Sequence, residues 1–202
     1  MRSMPSRALT GLWIAALLAV GAPCARQPVD APAVAEEPAD EVRRDPEVEA
    51  VRLRLAAHAR DLGIEKLDAL AATVVKASRA QKLEPTLVLA VIEVESRFDP
   101  YAVSDKGALG LMQILPATGA EVARRIGIPW RGPATLFDPH ANVRLGAAYL
   151  HQLLDRYASV RVALAAYNQG PGSIEARLRD GATLPASYTA RVLGAYWERP
   201  SG

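Results

Sequence analysis

The chain has 202 residues, of which 50% are hydrophobic and 5% aromatic, and its formal net charge at pH 7 is +2. This length suffices for one domain that buries its own core, and a single cysteine excludes an internal disulfide framework. The three histidines are scattered, and no Cys/His cluster has zinc-ligand spacing, so no metal site is expected. Abundant Leu, Ala and Val favour a helical fold.

The N-terminus has the pattern of an export signal. Arg2 and Arg7 precede the apolar stretch of residues 12–20, which small residues follow. This stretch is shorter than the ~20 apolar residues that a membrane-spanning helix requires. Residues 1–24 are therefore predicted to be a signal peptide, and the mature protein is expected outside the cytoplasm. The plainer alternative is an uncleaved hydrophobic tail.

Two forms of processing stay open at Cys24. The preceding residues 20–23, VGAP, resemble a bacterial lipoprotein box except for the proline directly before the cysteine. A plain secretory cut near Gly21 or Cys24 is preferred for that reason. If Cys24 carries a lipid, the protein is anchored at the outer membrane and the acidic segment that follows serves as a tether.

Residues 25–50 are predicted to be a disordered linker. Residues 26–50 hold 8 acidic and 3 basic side chains, a net charge of −5, together with several prolines. Such a segment buries too little apolar surface to offset the entropy of ordering. Residues 51–202 hold 19 basic and 14 acidic side chains, a net charge of +5, which suits an anionic polymer or simply a soluble surface.

Apolar residues recur at helical spacing from Val51 onward. A helical extension is predicted for residues 51–66, followed by one domain over residues 67–200. The helices predicted after residue 82 cover residues 84–98, 116–126, 141–157, 160–167, 174–178 and 188–196. No stretch alternates long enough to form a sheet, so the predicted fold is all-α or α-dominated.

Glu95 lies on the apolar side of the helix predicted for residues 84–98. At about 100° per residue, Glu95 falls about 40° from Val91 at the centre of the apolar stripe, whereas Glu93 falls about 200° away. Glu93 is therefore expected to face solvent. Desolvation raises the pKa of an inward-facing carboxyl group, as a general acid at neutral pH requires. Alternatively, Glu95 bends out to solvent or pairs with Arg97 or another cation.

Three segments carry four short motif blocks in a fixed order. They are VIEVESRFDPYAVSDKGALGLMQILPATG (residues 91–119), LFDPHANVRLGAAYLHQLL (136–154) and ALAAYNQGPG (163–172). Together they resemble the lytic transglycosylase family, whose catalytic domain has the lysozyme-like SLT fold. The resemblance covers roughly residues 67–197, and four ordered blocks are far more specific than a lone ES pair.

The resemblance implies a role for individual residues. It assigns the catalytic acid to Glu95, and the substrate-binding residues that it implies are Ser104, Met112, Gln113, Tyr167, Asn168 and Tyr188. The hydroxyl of Tyr167 is expected near the catalytic carboxyl group, and Gln113 is expected to bond sugar substituents. Plainer alternatives stay open: Ser104 as a turn residue, Tyr167 as a core tyrosine, and Met112 as core or pocket wall.

The chain departs from the family pattern at two places. Leu115 stands where many relatives have methionine, which should change sugar contacts only modestly. The block before Tyr188 is shortened to residues 184–187 and lacks the acidic residue that is common there. The distal wall of the substrate cleft is therefore not defined by the sequence.

The resemblance also implies the chemistry. Glycoside cleavage usually needs two carboxylates, yet Asp99 and Asp105 stand in a helix stop and a loop, where aspartate is structurally common. In lytic transglycosylases one glutamate acts first as acid and then as base, and the muramoyl C6 hydroxyl closes on C1 to give a 1,6-anhydro product. The alternatives are a lysozyme-like peptidoglycan hydrolase and a non-catalytic glycan-binding module.

The same resemblance sets the expected partners. The protein should bind peptidoglycan glycan strands in the periplasm, as a monomer, with no cofactor, no metal and no nucleic acid. An envelope or secretion-complex partner is left unidentified by the sequence, as is the choice between cleavage at chain ends and within strands.

Overall fold

The structure, a computed structural model, describes residues 45–58 and 64–197, and this part of the chain is helical. Its eight α-helices and one 3₁₀ helix are α1 (Pro46–His58), α2 (Ile64–Ala80), α3 (Pro85–Ser96), α4 (Pro116–Ile126), the 3₁₀ helix (Pro133–Phe137), α5 (Pro139–Tyr157), α6 (Val160–Gln169), α7 (Pro171–Arg179) and α8 (Ser187–Trp197). The β pairing in these residues consists of isolated antiparallel bridges from Leu109 to Val103 and Ile114. The predicted all-α class is therefore confirmed.

Helix α1 begins earlier than the sequence predicts. A disordered linker up to residue 50 is expected, but α1 starts at Pro46. Asp45 accepts a hydrogen bond from the N–H of Glu47, and both carboxylates pair with Arg79 of α2. The predicted end of the linker at residue 50 is wrong because the prediction treats Asp45 and Glu47 as unpaired like charges. Their partner, Arg79, lies in α2 and cannot be recognised from the local sequence.

The predicted signal peptide, residues 1–24 with Cys24, lies outside the described residues. Residues 25–44 of the predicted linker lie outside them as well. In the part of the chain that is described, no helix combines the length and the apolar character needed to cross a membrane.

Helix α3 lies at the centre of the described core. Five consecutive residues, Val88–Ile92, are buried, so α3 is enclosed on nearly all sides and not along one stripe only. Helices α2 and α8 pack along α3, and α1 contacts it too. A polar side chain in the second half of α3 therefore lies close to a neighbouring element.

The loop between α3 and α4 is held in place by Asn142 of α5. The Asn142 amide nitrogen donates to the carbonyl oxygens of Leu109 and Leu136, and its Oδ1 accepts from the N–H of Met112. Gly110 lies against this amide with a φ of 75°, and a Cβ at that position would collide with Asn142. The loop is thereby fixed to α5 by a fully buried amide.

Candidate active site

The carboxyl group of Glu95 lies between α3 and α8. Glu95 belongs to the last turn of α3, and its Oε1 accepts a hydrogen bond from the hydroxyl of Tyr188, in the first turn of α8, at 2.6 Å. Burial raises the pKa of Glu95 above its ordinary value, while the Tyr188 hydrogen bond and the positive charge of Arg191 oppose that shift. The prediction that Glu95 points inward is confirmed.

Tyr188 acts as a hydrogen-bond donor to Glu95. Its side chain is 3% exposed, and burial together with the negative charge of Glu95 raises the pKa of its hydroxyl well above the ordinary value. Because Oε1 of Glu95 accepts this bond, and a carbonyl oxygen is a better acceptor than a hydroxyl oxygen, the proton of a neutral carboxyl group is favoured on Oε2. Oε2 is thus the atom from which Glu95 can donate a proton.

Helix α3 ends directly after the ES pair because two residues adopt left-handed conformations. Arg97 has a φ of 52° and Phe98 a φ of 66°, so the helix stops at Ser96, two residues before the predicted end. Such conformations cost about 1–3 kcal/mol each for non-glycine residues. The buried Phe98 ring offsets part of that cost, and the sharp end leaves Glu95 in the terminal turn.

Glu93 is not the solvent-facing carboxylate that the angular argument predicts. Its side chain is 26% exposed, and its Oε2 accepts a hydrogen bond from Nη2 of Arg54 in α1 at 2.8 Å. The prediction is wrong because it considers one apolar stripe of α3. Helix α1 reaches the opposite face, so that side of α3 is also an interface.

Tyr167 lies close enough to Glu95 to be influenced by its charge, but it bonds elsewhere. Burial, and after it the charge of Glu95, raises the pKa of the Tyr167 hydroxyl well above its ordinary value. That hydroxyl donates to the carbonyl oxygen of Met112 at 2.8 Å. The tyrosine that bonds the carboxyl group is Tyr188, which the sequence assigned only to substrate binding.

Met112 and Gln113 are adjacent but have different environments. Met112 is 0% exposed and packs so closely on Gly146 of α5 that a Cβ there would collide with it. This burial agrees with the core alternative for Met112 and gives no support to its predicted contact with substrate. Gln113 is half-buried, and its Nε2 donates to the carbonyl oxygens of Ala102 and Gly110 at 3.0 Å each.

Ser104 and Asn168 are both accessible, but no hydrogen bond joins either to Glu95 within the described residues. The Ser104 hydroxyl accepts from the N–H of Ala108 at 3.0 Å and so closes a turn, as its plainer alternative states. Its hydroxyl proton stays free to donate. Asn168 is exposed near the end of α6, where its Oδ1 accepts from Gln169.

Asp99 and Asp105 are exposed loop residues. Oδ1 of Asp99 accepts from the N–H of Tyr101 at 2.8 Å, which is an ordinary turn contact. Neither aspartate contributes to the pKa shift of Glu95. Across residues 45–58 and 64–197, no three His, Cys, Asp or Glu side chains are grouped as metal ligands.

Arg191 belongs to the site but was not singled out from the sequence. Its side chain is exposed on α8, and its guanidinium carbon lies 6.0 Å from the centre of the Tyr188 ring. Its charge lowers the pKa of both Glu95 and Tyr188. The sequence does carry a signal for Arg191, because residues three apart on a helix share a face and the family resemblance assigns Tyr188 to the site.

Comparison with known proteins identifies relatives for the central part of the chain. A family model of the transglycosylase SLT domain matches residues 72–187, more than half of the chain. The soluble lytic murein transglycosylase of Salmonella typhimurium is 35% identical over 107 residues, covering 52% of this chain and 17% of the relative. The membrane-bound lytic murein transglycosylase C of Serratia proteamaculans is 40% identical over 109 residues, covering 49% and 30%. The chain thus spans less than a third of these curated relatives.

A solved structure agrees with the family match. Lytic transglycosylase Slt from Pseudomonas aeruginosa, an inactive mutant with glutamine in place of a glutamate, matches with a TM-score of 0.51 and 36% identity. The match covers 62% of this chain and 21% of that chain. The fold type expected from the sequence motifs, a lysozyme-like SLT domain, is confirmed.

Proposed function

Because the chain belongs to the transglycosylase SLT family, we propose that it is a peptidoglycan lytic transglycosylase. It cleaves the β-1,4 bond between N-acetylmuramic acid and N-acetylglucosamine and leaves 1,6-anhydromuramoyl ends. The observation that carries this proposal is the Glu95–Tyr188 pair, in which burial raises the pKa of a carboxyl group and a tyrosine orients it.

Glu95 acts first as a general acid. Burial favours its neutral form, and the Tyr188 hydrogen bond to Oε1 leaves the proton on Oε2. That proton passes to the glycosidic oxygen while the bond from this oxygen to the muramoyl C1 breaks. The N-acetylglucosamine residue leaves as an alcohol, and positive charge develops at C1.

Glu95 then acts as a general base. Its carboxylate takes the proton of the muramoyl C6 hydroxyl as that oxygen bonds to C1, which closes the anhydro ring and returns Glu95 to its starting state. The Tyr188 hydrogen bond and the charge of Arg191 both stabilise this carboxylate. The attacking hydroxyl belongs to the substrate, so no water has to be captured and oriented.

The surroundings of Glu95 favour this mechanism over hydrolysis by two carboxylates. Hydrolysis by two carboxylates needs a second carboxylate about 5–10 Å from Glu95, and a buried charged one would raise the pKa of Glu95 by like-charge repulsion. The causes of its shift are burial, Tyr188 and Arg191, with no acidic side chain among them. Stabilisation of the charge at C1 falls to the substrate's acetamide oxygen and to polar groups such as Asn168.

The remaining substrate contacts are assigned to accessible polar atoms. The Ser104 hydroxyl proton and the Oε1 of Gln113 are not used by the protein hydrogen bonds described above, and Asn168 is exposed. Peptidoglycan lies outside the cytoplasm, so the signal peptide predicted for residues 1–24 delivers the protein to its substrate.

Mass spectrometry of soluble muropeptides released from purified peptidoglycan tests the proposal. The wild-type protein should release anhydro products, and Glu95→Gln should remove that release while keeping an acceptor oxygen for Tyr188. Products with reducing ends would instead indicate a hydrolase. A folded protein that binds glycan strands but releases nothing in a Glu95-dependent manner would indicate a binding module.

A further inference from the structure

Helix α1 lies outside the family match, which begins at residue 72, yet it packs against α3. Arg54 of α1 bonds Glu93, two residues before Glu95. His58, at the end of α1, stacks on the ring of Phe98, three residues after Glu95, with ring centres 5.0 Å apart. The last turn of α3 is therefore held on both sides of the catalytic residue.

Arg54 joins the two helices that form the Glu95–Tyr188 pair. Its Nη2 donates to Oε2 of Glu93 in α3 at 2.8 Å and to the carbonyl oxygen of Ala195 in α8 at 2.7 Å. One nitrogen has two protons and can make both bonds at once. The Arg54 side chain is 10% exposed, so this link lies in the interface and not on the surface.

The position of the link relates it to the reaction. Glu95 and Tyr188 come from α3 and α8, and their hydrogen bond keeps its length only while these helices keep their spacing. A displacement of about 1 Å in a catalytic group can slow a reaction about 100-fold. A direct bridge between α3 and α8 therefore acts on the geometry of the acid.

We infer that Arg54 is a positioning residue, which ties α3 to α8 through Glu93 and Ala195 and so holds Glu95 against Tyr188. This inference rests on the proposed transglycosylase function for its kinetic consequences. It also makes α1 a part of the catalytic unit, although the family match does not include that helix.

Arg54→Met tests the inference, because methionine keeps an apolar stem and removes both hydrogen bonds. Arg52→Met is the matched control, since Arg52 is on the same helix and pairs with Glu49 and Asp68, away from α3 and α8. Arg54→Lys is the conservative variant, because it keeps a positively charged donor at this position. Each is measured for kcat and KM with anhydro product release, corrected for the folded fraction from thermal unfolding.

We expect kcat of Arg54→Met to fall about tenfold to 100-fold, with KM changed less than about twofold. Arg54→Lys should recover most of that loss, and Arg52→Met should match the wild type. Equal kcat in Arg54→Met and wild type, or a loss that vanishes after correction for the folded fraction, would overturn the inference.

The titration of Glu95 by NMR of its side-chain carboxyl carbon gives a readout that does not depend on activity. Separation of α8 from α3 weakens both the burial that raises the pKa of Glu95 and the Tyr188 bond that lowers it. Burial is the larger cause, so the pKa should fall toward its ordinary value in Arg54→Met. If the wild-type protein releases no anhydro product but the pKa of Glu95 still falls in Arg54→Met, the positioning role is supported and the transglycosylase function is refuted. If the pKa of Glu95 is the same in Arg54→Met and wild type, the positioning role alone is overturned.

Discussion

Tyr188 and Glu95 are 93 positions apart in the chain, and their side-chain oxygens are 2.6 Å apart in the structure. The hydrogen bond between them joins the first turn of α8 to the last turn of α3. It also distinguishes the two carboxyl oxygens, because Oε1 accepts from the tyrosine and Oε2 does not.

Replacing Tyr188 with phenylalanine removes the hydroxyl group and should lower kcat about tenfold to 100-fold, because the acid loses its orientation. The pKa of Glu95 should rise, since the hydrogen bond that lowers it is lost while burial remains. The alkaline limb of the pH–rate profile, where the acid loses its proton, should move to higher pH. Tyr167→Phe is the comparison, because its hydroxyl bonds Met112, and it should leave the limb in place. Equal shifts in both variants would contradict the assignment of Tyr188.

Arg191→Gln should also raise the pKa of Glu95, because the positive charge of Arg191 lowers it in the wild type. Arg191 is exposed, so the shift should be smaller than in Tyr188→Phe and should shrink as salt is added. The measurement is the alkaline limb of the pH–rate profile at low and high ionic strength. A limb that does not move at low salt would show that Arg191 has no electrostatic effect on the acid.

Glu95→Gln should make the fold more stable at neutral pH. The pKa of Glu95 in the folded protein lies above its ordinary value of 4.5, so the folded state retains a proton that the unfolded chain has lost. The stability of the wild type therefore decreases as pH rises from 4.5 to the folded-state pKa. The variant should unfold at a higher temperature than wild type at about pH 7. At about pH 3 the two proteins should unfold at nearly the same temperature, because protonated Glu95 and glutamine are both neutral. If the two proteins differ in unfolding temperature by the same amount at both pH values, the cause is a change in packing and not the ionisation of Glu95.

Asn142→Ala should destabilise the loop between α3 and α4. It leaves the N–H of Met112 and the carbonyl oxygens of Leu109 and Leu136 without their partner. The free energy of unfolding should fall by about 3 kcal/mol or more, as measured by urea titration. Asn168→Ala changes the same residue type at an exposed position and should leave stability within about 0.5 kcal/mol. Similar losses in both variants would be inconsistent with a specific anchor at Asn142.

The sequence predicted much of the helical framework and the inward direction of Glu95. Helical periodicity and proline positions predicted the start of α4 at Pro116 and the end of α5 at Tyr157. The angle of Glu95 on its helix depends only on its spacing from Val91, so it can be read from the chain without a structure. The motif blocks led to the same glutamate independently.

The tertiary structure decided what each of these side chains meets. Tyr188, and not Tyr167, donates a hydrogen bond to Glu95. Arg54 donates a hydrogen bond to Glu93. Gly146 has no side chain and so leaves room for the buried Met112. The physical reason is that spacing along a helix sets a side chain's direction relative to its own axis only. The partner it finds depends on how α3 packs against α1 and α8, and those helices are brought there by long-range contacts that no local pattern encodes.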